Sequence, residues 1–281
     1  MQPISFGREV ASILLKITGF IVTIVLLIVI IVMISFGYTA VSDGTCNIAV
    51  MPIEGVIMPF GYGYQYPEFS VTPNDVRDFL GLATEDTFIE GVLFEVNSPG
   101  GAAAASENIA NQITDLDLPT VAIIGDMGAS GGYMAASAAD RIYGSAMSDI
   151  GSIGVTMSYI ENSEKNKEDG LTYVPLISGK LKDAGSPEKP LTPEERTYFE
   201  SQINTVYETF VNLVAKNRNL SYDEVKNLAD GSTYIGQQAV DKKLIDEIGT
   251  RASAKKFFAE KLEKSESDIS FCEYVPPLGI L

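Results

Sequence analysis

An uninterrupted apolar run near the amino end constrains the fold of this chain more than any other sequence feature. Residues 17–36 contain no charged side chain. At about 1.5 Å per helical residue, a run of this length crosses the roughly 30 Å hydrocarbon layer of a bilayer. A secretory leader has a shorter apolar core, of roughly 7–15 residues, and small residues before its cleavage site. Here Tyr38 would occupy the minus-three position before a cut after Ala40. The run therefore predicts a retained transmembrane anchor, with a cleaved leader or a buried core helix as the alternatives.

The charges that flank this run predict its orientation in the membrane. Arg8 and Lys16 precede the run, whereas Asp43 is the first charge after it. Because basic residues are retained on the cytoplasmic side, we expect a single-pass protein of the cell membrane with its amino end in the cytoplasm. The predicted parts are a cytoplasmic segment at 1–16, the anchor at 17–36, a linker at 37–46 and an extracytoplasmic domain at 47–281.

Composition excludes several classes of chemistry. The chain has no histidine, so it cannot form a Ser-His-Asp or Cys-His triad or an HExxH zinc site, each of which needs an imidazole. Cys46 and Cys272 match no zinc-ligand or redox spacing, and we expect no metal and no other cofactor. The two cysteines could form one disulfide in an oxidising compartment. A formal net charge of -17 argues against nucleic-acid binding, which requires clustered lysine and arginine.

The domain after the linker alternates strand and helix patterns. Predicted strands lie at 91–96 and 119–125 after a strand pair at 47–58, and predicted helices lie at 72–82, 102–114, 192–217, 222–229 and 251–262, with a further helix ending near 139. Strands separated by helices favour parallel pairing with helical crossovers, an α/β layering. The long helix has an apolar stripe at helical spacing, which we expect to pack against the sheet or a neighbouring subunit: Phe199, Ile203, Val206, Phe210 and Leu213.

The segment GASGG at 128–132 is the first motif that could carry chemistry. It formally matches the GxSxG nucleophile elbow, but it has no histidine to act with. A strand, a glycine-rich turn and a serine at a helix start would still place the Ser130 hydroxyl beside outward-pointing backbone N–H groups. By itself, a serine between glycines is more often only a tight turn.

The segment NSPGG at 97–101 is the second motif. It directly follows a buried strand and opens the next predicted helix. Its glycines would let backbone approach a ligand closely, and the first N–H groups of the helix would be free to bind negative charge. Together with the serine turn it predicts an oxyanion hole, although a strand-to-helix turn of this kind is ordinary when it occurs alone.

The base for such a serine must be a lysine or a carboxylate because histidine is absent. A lysine can act as a base when burial favours its neutral form. Lys180 and Lys182 follow the apolar run 173–177 and would lie on the same side of an extended segment. A lysine in a surface loop is ordinarily solvated, so neither residue is assigned as the base on this pattern alone.

Taken together, these segments resemble those of a known family, the membrane-anchored signal peptide peptidases of the SppA type, which are Ser-Lys proteases. The matching segments are VNSPGG at 96–101, GASGGYMAASAAD at 128–140, GSIGV at 151–155, GKLKDAGSP at 179–187, LTPEER at 191–196 and GQQAVDKKLIDEIG at 236–249. They cover nearly the whole domain, in the family's order, behind the expected anchor. Some relatives carry two repeats of the catalytic motifs, whereas this chain has one copy.

The resemblance implies a role for individual residues. These are the nucleophile Ser130, the general base Lys182, the serine Ser152 that holds the lysine amine, and the oxyanion N–H groups of Gly101 and Gly131. Lys180 is then a neighbour of the base. Without the resemblance, Ser152 would be interpreted as a turn hydroxyl.

The resemblance also implies a fold and an activity. The domain at 47–281 would be an α/β peptidase domain of Clp-protease-like or crotonase-like type, built of ββα repeats with a mainly parallel sheet and preceded by one transmembrane helix. The implied enzyme is a serine endopeptidase that hydrolyses remnant signal peptides and other hydrophobic membrane-derived peptides through an acyl-enzyme. It would form a homo-oligomeric ring or dome on the lipid bilayer, and Ser130 and Lys182 of one site could come from different chains.

Two other functions remain open at the level of sequence. A crotonase-like acyl-CoA hydratase or isomerase can use paired turn N–H groups without a serine nucleophile. A non-enzymatic membrane scaffold could retain the motifs for folding and assembly alone. Covalent labelling of Ser130 by a fluorophosphonate would favour the peptidase, whereas turnover of CoA thioesters without labelling would favour the hydratase.

Overall fold

A computed structural model gives the fold of the chain. It describes residues 6–36, 41–42, 44–60 and 70–273. At residues 6–12, 30–36 and 273 only the backbone is described. Parts of the predicted cytoplasmic segment (1–5) and linker (37–40 and 43), and the carboxyl end of the domain (274–281), therefore lie outside the described residues.

The amino-terminal segment forms one helix, α1 (Phe6–Phe36). Its described side chains, at 13–29, are all exposed. In the part of the chain that the structure describes, no helix is both long enough and apolar enough to cross a membrane. The predicted anchor at 17–36 extends beyond the last described side chain, and the structure does not support it.

The domain is built on a single sheet. The strands are β1 (Ile48–Ile57), β2 (Ser70–Val71), β3 (Gly91–Gly101), β4 (Thr120–Ala129), β5 (Arg141–Gly144), β6 (Asp149–Gly151), β7 (Thr233–Ile235), β8 (Glu247–Ile248) and β9 (Phe271–Glu273). The main path of the sheet runs β2-β1-β3-β4-β5-β8, with β9 beside β1 and β6 beside β4. Every pairing is parallel except that of β6 with β7. The predicted α/β layering with a mainly parallel sheet is confirmed.

Helices connect the parallel strands. They are α2 (Pro73–Glu85), α3 (Ala103–Thr114), α4 (Gly131–Ala136), α5 (Ser163–Glu168), α6 (Pro193–Arg218), α7 (Tyr222–Lys226), α8 (Gln237–Asp241), α9 (Arg251–Lys261) and a 3₁₀ turn at Glu266–Asp268. The helices α2 and α6 begin as their sequences predict, each with a threonine cap, a proline in the first turn and a reciprocal capping box, at Thr72 and Thr192.

One predicted element is wrong. Residues 47–58 were expected to form a strand pair, but they form the single strand β1. The pairing of β1 with β3 shifts register between Glu54 and Val56, and Gly55 between them has a positive φ of 70°. Such a bulge bends a strand without reversing it, so Gly55 marks a bulge within one continuous strand.

Side chains are buried on both faces of the sheet. Along β3, Val92, Phe94 and Val96 belong to the large core cluster that includes residues of α2, α3, α4 and α6. Leu93 points the other way and packs in a second cluster with Phe258 of α9. Successive strand residues face opposite sides of a sheet, so covering both sides accounts for the nearly continuous apolar sequence of β3.

A disulfide ties the two ends of the domain together. It joins Cys46 to Cys272, which are 226 positions apart in sequence and 5.3 Å apart between Cα atoms. Cys272 lies in β9, where it pairs with Ala49 of β1. A cross-link that closes a loop of this length stabilises a fold by roughly 5 kcal/mol on the chain-entropy account. The pairing that the sequence left open is thus formed in the structure.

Candidate active site

The site is built where two strand-to-helix turns meet. Parallel β3 and β4 end at the same edge of the sheet, with Ser98 in register with Gly128. The last residues of β3 are in direct contact with the turn after β4, because a Cβ on Gly100 would lie 2.5 Å from the backbone nitrogen of Gly131. Gly100 also has a positive φ of 93°. Only glycine is compatible with both the backbone conformation and the close approach.

Ser130 occupies the tip of the second turn in an unusual backbone conformation. Its φ is 51° and its ψ is -123°, outside the regions that a residue with a side chain ordinarily adopts. Its N–H donates to the carbonyl of Gly151, at 2.7 Å, and its own carbonyl accepts from Met134. Strain of this kind costs about 1–3 kcal/mol and concentrates at functional sites. The half-buried Ser130 is therefore held at this tip by the surrounding structure.

Backbone N–H groups lie beside Ser130. Gly131 is the first residue of α4, so its N–H has no acceptor within the helix. The backbone nitrogen of Gly101 lies 3.3 Å from where a Cβ on Gly131 would stand, and the same Cβ would lie 2.1 Å from Oγ of Ser106. The two glycines therefore lie next to each other, and a side chain on Gly131 would clash with Ser106. Paired N–H donors next to a serine hydroxyl can stabilise an oxyanion.

A buried serine that the sequence analysis did not single out supports the first turn. Ser98 is fully buried; its Oγ donates to the carbonyl of Gly55 at 2.6 Å and accepts from the N–H of Gly100 at 3.1 Å. This single hydroxyl links the bulge of β1 to the turn that carries Gly101. The only sequence signal was its place in the NSPGG motif, because Gly55 is 43 positions away.

Ser152 directly follows β6 and is adjacent to Gly151, whose carbonyl accepts the hydrogen bond from the Ser130 N–H. It also has a positive φ, of 50°. Its N–H donates to the carbonyl of Ser232 at 2.9 Å, and its Oγ donates to the carbonyl of Gly231 at 3.2 Å. A hydroxyl that donates its hydrogen to a carbonyl keeps lone pairs free to accept from another donor such as an amine.

These residues line one cleft of about 670 Å³. Its lining includes four of the predicted site residues, Gly101, Ser130, Gly131 and Ser152. The walls come from distant parts of the chain that the sequence analysis did not assign to a site: Val206, Tyr207 and Phe210 of α6, and residues 229–231. Val206 and Phe210, two residues of the apolar stripe of α6, therefore line the cleft. The sequence predicted only a packing role for this stripe.

Lys182, the predicted base, lies outside this cleft in its own chain. It is exposed and is not among the residues that line the cleft. It lies in a turn closed by the Lys182 N–H, which donates to the carbonyl of Gly179 at 3.0 Å. The neighbouring Lys180 forms an ion pair with Glu194 at the start of α6, at 2.6 Å. Within the described residues of one chain, the cleft is lined by no lysine or arginine.

A cluster of charged side chains fixes the turn that carries Lys182. Lys189 forms an ion pair with Glu195 and lies 3.8 Å from Asp183, whose other oxygen accepts from the Tyr173 hydroxyl at 2.7 Å. The hydrogen bond between Lys189 and Glu195 raises the pKa of Lys189 and lowers the pKa of Glu195. The cluster links the turn that carries Lys182 to the capping box of α6 and so fixes the backbone of that turn, whereas Lys182 itself is exposed.

The segment before Lys182 exposes large apolar side chains. Its most exposed members are Leu171, Val174 and Leu176 at 61%, 70% and 96%, with Ile160 at 80%. The exposed apolar residues lie in two stretches, 157–160 and 171–177, on either side of the charged helix α5. Exposed apolar side chains grouped in this way are typical of a surface that binds another protein. We call the stretches 157–160 and 171–177 together the apolar arm.

Comparisons with known proteins give a consistent result. The sequence profile of peptidase family S49 matches residues 112–265. The chain is 36% identical over 215 residues to "Putative protease MJ0651" of Methanocaldococcus jannaschii, a match that covers 75% of this chain and 69% of that protein. It is 35% identical over 238 residues to "Putative signal peptide peptidase SppA" of Enterococcus faecium, covering 83% of this chain and 69% of that protein.

A solved structure, that of a ClpP1 mutant from Listeria monocytogenes, matches with a TM-score of 0.48. The sequence identity is 16%, and the match covers 74% of this chain and 92% of that chain.

The support that Ser98 gives to the turn predicts a loss of both stability and reactivity in Ser98→Ala. The substitution leaves the Gly100 N–H and the Gly55 carbonyl unpaired, which costs about 1–3 kcal/mol. It also releases the turn that positions the Gly101 N–H. We expect a lower melting temperature and a rate of fluorophosphonate labelling at Ser130 that is lower by about tenfold or more.

Ser137→Ala is the matched control for this prediction. Ser137 is also fully buried, and its Oγ donates to the Met134 carbonyl at 2.8 Å and accepts from Asn217 at 3.2 Å, behind α4. We expect Ser137→Ala to lower the melting temperature while leaving the labelling rate near wild type. Equal labelling rates in the two variants would show that Ser98 has no special part in the site.

Proposed function

This chain belongs to peptidase family S49 and is a serine-type peptidase, and we propose that it cleaves peptides with Ser130 as nucleophile and Lys182 as base. The observation that carries the proposal is the position of Ser130 at a strained turn between the N–H groups of Gly131 and Gly101. In a chain without histidine, a serine in this setting needs a lysine or a carboxylate to accept its proton.

The proposed reaction has two stages. Neutral Lys182 removes the hydroxyl proton of Ser130 as its oxygen attacks the peptide carbonyl, and the Gly131 and Gly101 N–H groups bind the oxyanion that forms. The protonated lysine then gives its proton to the departing amine, leaving an acyl-enzyme. Water, deprotonated by the same lysine, hydrolyses the ester and restores the serine. Ser152 accepts a hydrogen bond from the lysine amine and holds it in line.

The base reaches the cleft from a neighbouring copy of the chain in this proposal. Two observations support it: Lys182 does not line the cleft of its own chain, and the apolar arm just before it is exposed. Contact of the arm with a second copy would bury these apolar side chains and remove the lysine from water, which favours its neutral form. The same head-to-tail contact, repeated around a closed rotation, gives a homo-oligomeric ring or dome.

The proposed substrates are remnant signal peptides and other hydrophobic membrane-derived peptides. The cleft walls fit such peptides, since Met134, Val155, Val206 and Phe210 present apolar side chains to it. The charge-free run at 17–36 is proposed as an anchor that holds the enzyme at the lipid bilayer, with its amino end in the cytoplasm and the catalytic domain outside the cytoplasm.

The catalytic roles predict the behaviour of three variants on a fluorogenic, signal-peptide-like substrate. Ser130→Ala and Lys182→Ala should each lose at least about a thousandfold in kcat, because each removes a reacting group. Lys180→Ala, the matched control two residues away, should keep most of the activity. Wild-type activity should rise from about pH 6 to pH 9 because the neutral amine is the active form. Full activity in Lys182→Ala would exclude this lysine as the base.

Sharing of the site between chains predicts complementation. Ser130→Ala and Lys182→Ala are each inactive alone, but mixed assemblies contain some clefts with an intact Ser130 from one chain and an intact Lys182 from the other. We expect activity to appear when the two variants are dissociated, mixed and reassembled, up to roughly a quarter of wild type by random pairing. If both residues of a site came from one chain, the mixed assemblies would stay inactive.

The proposed location predicts that the disulfide is oxidised in the cell. A domain outside the cytoplasm can keep Cys46 and Cys272 paired, whereas cytoplasmic reductants would keep them as thiols. We expect the chain from cells alkylated at lysis to have an unchanged mass without reductant and to gain two alkyl groups after reduction. Alkylation of both cysteines without reductant would contradict the proposed location.

A further inference from the structure

The candidate cleft has one charged residue among its described lining residues, and it is an aspartate. Asp230 follows Ala229 and precedes Gly231 at the wall beside Ser152. The other lining residues are glycines, alanines, hydroxyl-bearing residues and large apolar residues. A single negative charge in an otherwise uncharged cleft favours the binding of peptides with a positive charge and disfavours peptides with a negative charge.

The segment that carries Asp230 is fixed against the reactive edge of the sheet. Ser152 donates to the carbonyls of Gly231 and Ser232, and the Gly231 N–H donates to the carbonyl of Ile153 at 3.1 Å. On the other side, the Tyr207 hydroxyl of α6 donates to the carbonyl of Ala229 at 3.0 Å. The backbone at Asp230 is therefore fixed relative to Ser152, and the residue itself is exposed.

The carboxylate is ionised and has an oxygen to spare. Its Oδ1 accepts from the N–H and the hydroxyl of Ser232, at 2.9 and 2.5 Å, and these hydrogen bonds lower the pKa of Asp230. Among the ion pairs of the described residues none includes Asp230, and no hydrogen bond to its Oδ2 is found there. The charge thus lacks a cation in the part of the chain that the structure describes.

We propose that Asp230 is a specificity-determining residue, which favours peptides that carry a lysine or arginine side chain to this wall of the cleft. The proposal rests on the peptidase function of the Ser130 cleft and adds a preference within it. The cleft's apolar walls accept hydrophobic residues, and Asp230 selects a cationic residue a short distance from the scissile bond. Acidic peptides are disfavoured at the same position.

The cation is assigned to the substrate because the proposed base cannot fill this role. Lys182 must be neutral to accept the proton of Ser130, and a carboxylate paired with its amine would favour the charged form instead. A substrate lysine or arginine has no such requirement. Because Asp230 is exposed at the cleft, its attraction for a substrate cation is that of a partly solvated ion pair, which gives a modest preference.

A set of matched peptides tests the proposal. One apolar fluorogenic peptide is made with lysine, norleucine or glutamate at each of three positions on either side of the cleaved bond. We expect wild type to prefer lysine over norleucine at one position, by about threefold to fivefold in kcat/KM, which is the effect of an exposed ion pair. Asp230→Asn should bring this ratio near one, because the amide oxygen can still accept from Ser232 while the charge is lost.

Asp117→Asn is the control for the overall negative charge of the chain. Asp117 is exposed and lies before Thr120, the first residue of β4, at the opposite end of the strand from Ser130. Both variants remove one carboxylate, so an effect of net charge alone would be the same in the two. A ratio that falls in Asp230→Asn and stays high in Asp117→Asn supports the proposal.

Other outcomes would reject the specificity role of Asp230, and these can be distinguished from a failure of the proposed peptidase function. Equal lysine-to-norleucine ratios in wild type and Asp230→Asn would exclude the specificity role. An equal loss of kcat for all peptides in Asp230→Asn would place Asp230 with the catalytic groups instead. Failure of wild type to cleave any peptide, together with no fluorophosphonate labelling of Ser130, would reject the peptidase function as well.

Discussion

The contact between the end of β3 and the turn after β4 is the constraint on which the site depends. It is possible because the two strands are parallel neighbours and end at one edge of the sheet. It is as close as backbone allows, since a Cβ on Gly100 would clash with Gly131 and a Cβ on Gly101 would lie 2.0 Å from the Ile57 carbonyl. The missing side chains let the two backbone segments pack directly against each other, which places Gly101 and Gly131 side by side at the cleft.

The surrounding packing and hydrogen bonds stabilise the strained backbone at this edge of the sheet. Ser130 and Ser152 both have positive φ, and the two strained positions are linked through the hydrogen bond from Ser130 to Gly151. Behind them, α4 is buried along its whole length, and the Tyr133 hydroxyl donates to the Leu244 carbonyl at 2.8 Å. A strained turn persists only where the surrounding packing and hydrogen bonds over-determine it, and both are present here.

The sequence predicted the parts of the site that are local in the chain. Strand, turn and helix follow one another in the motifs around Ser98 and Ser130, so their patterns could be interpreted without tertiary structure. Contacts between distant segments were missed, such as those of Ser98 with Gly55 and of Ser152 with Gly231, because no local pattern encodes them. The strand pair predicted at 47–58 failed for a related reason, since a glycine bulge and a turn look alike until the partner strand is known.

If Ser130 and Lys182 act together from different chains, as proposed above, activity would depend on assembly. A lysine exposed to water is a poor base, and it becomes a good one only when an apolar surface excludes water from it. In the proposed assembly, the apolar arm that precedes Lys182 would supply that surface through its contact with another chain. The burial that would stabilise the assembly would then also create the base, so that an isolated chain would hold Ser130 in its strained turn without activating it. Hydrolysis would then be confined to the assembled enzyme.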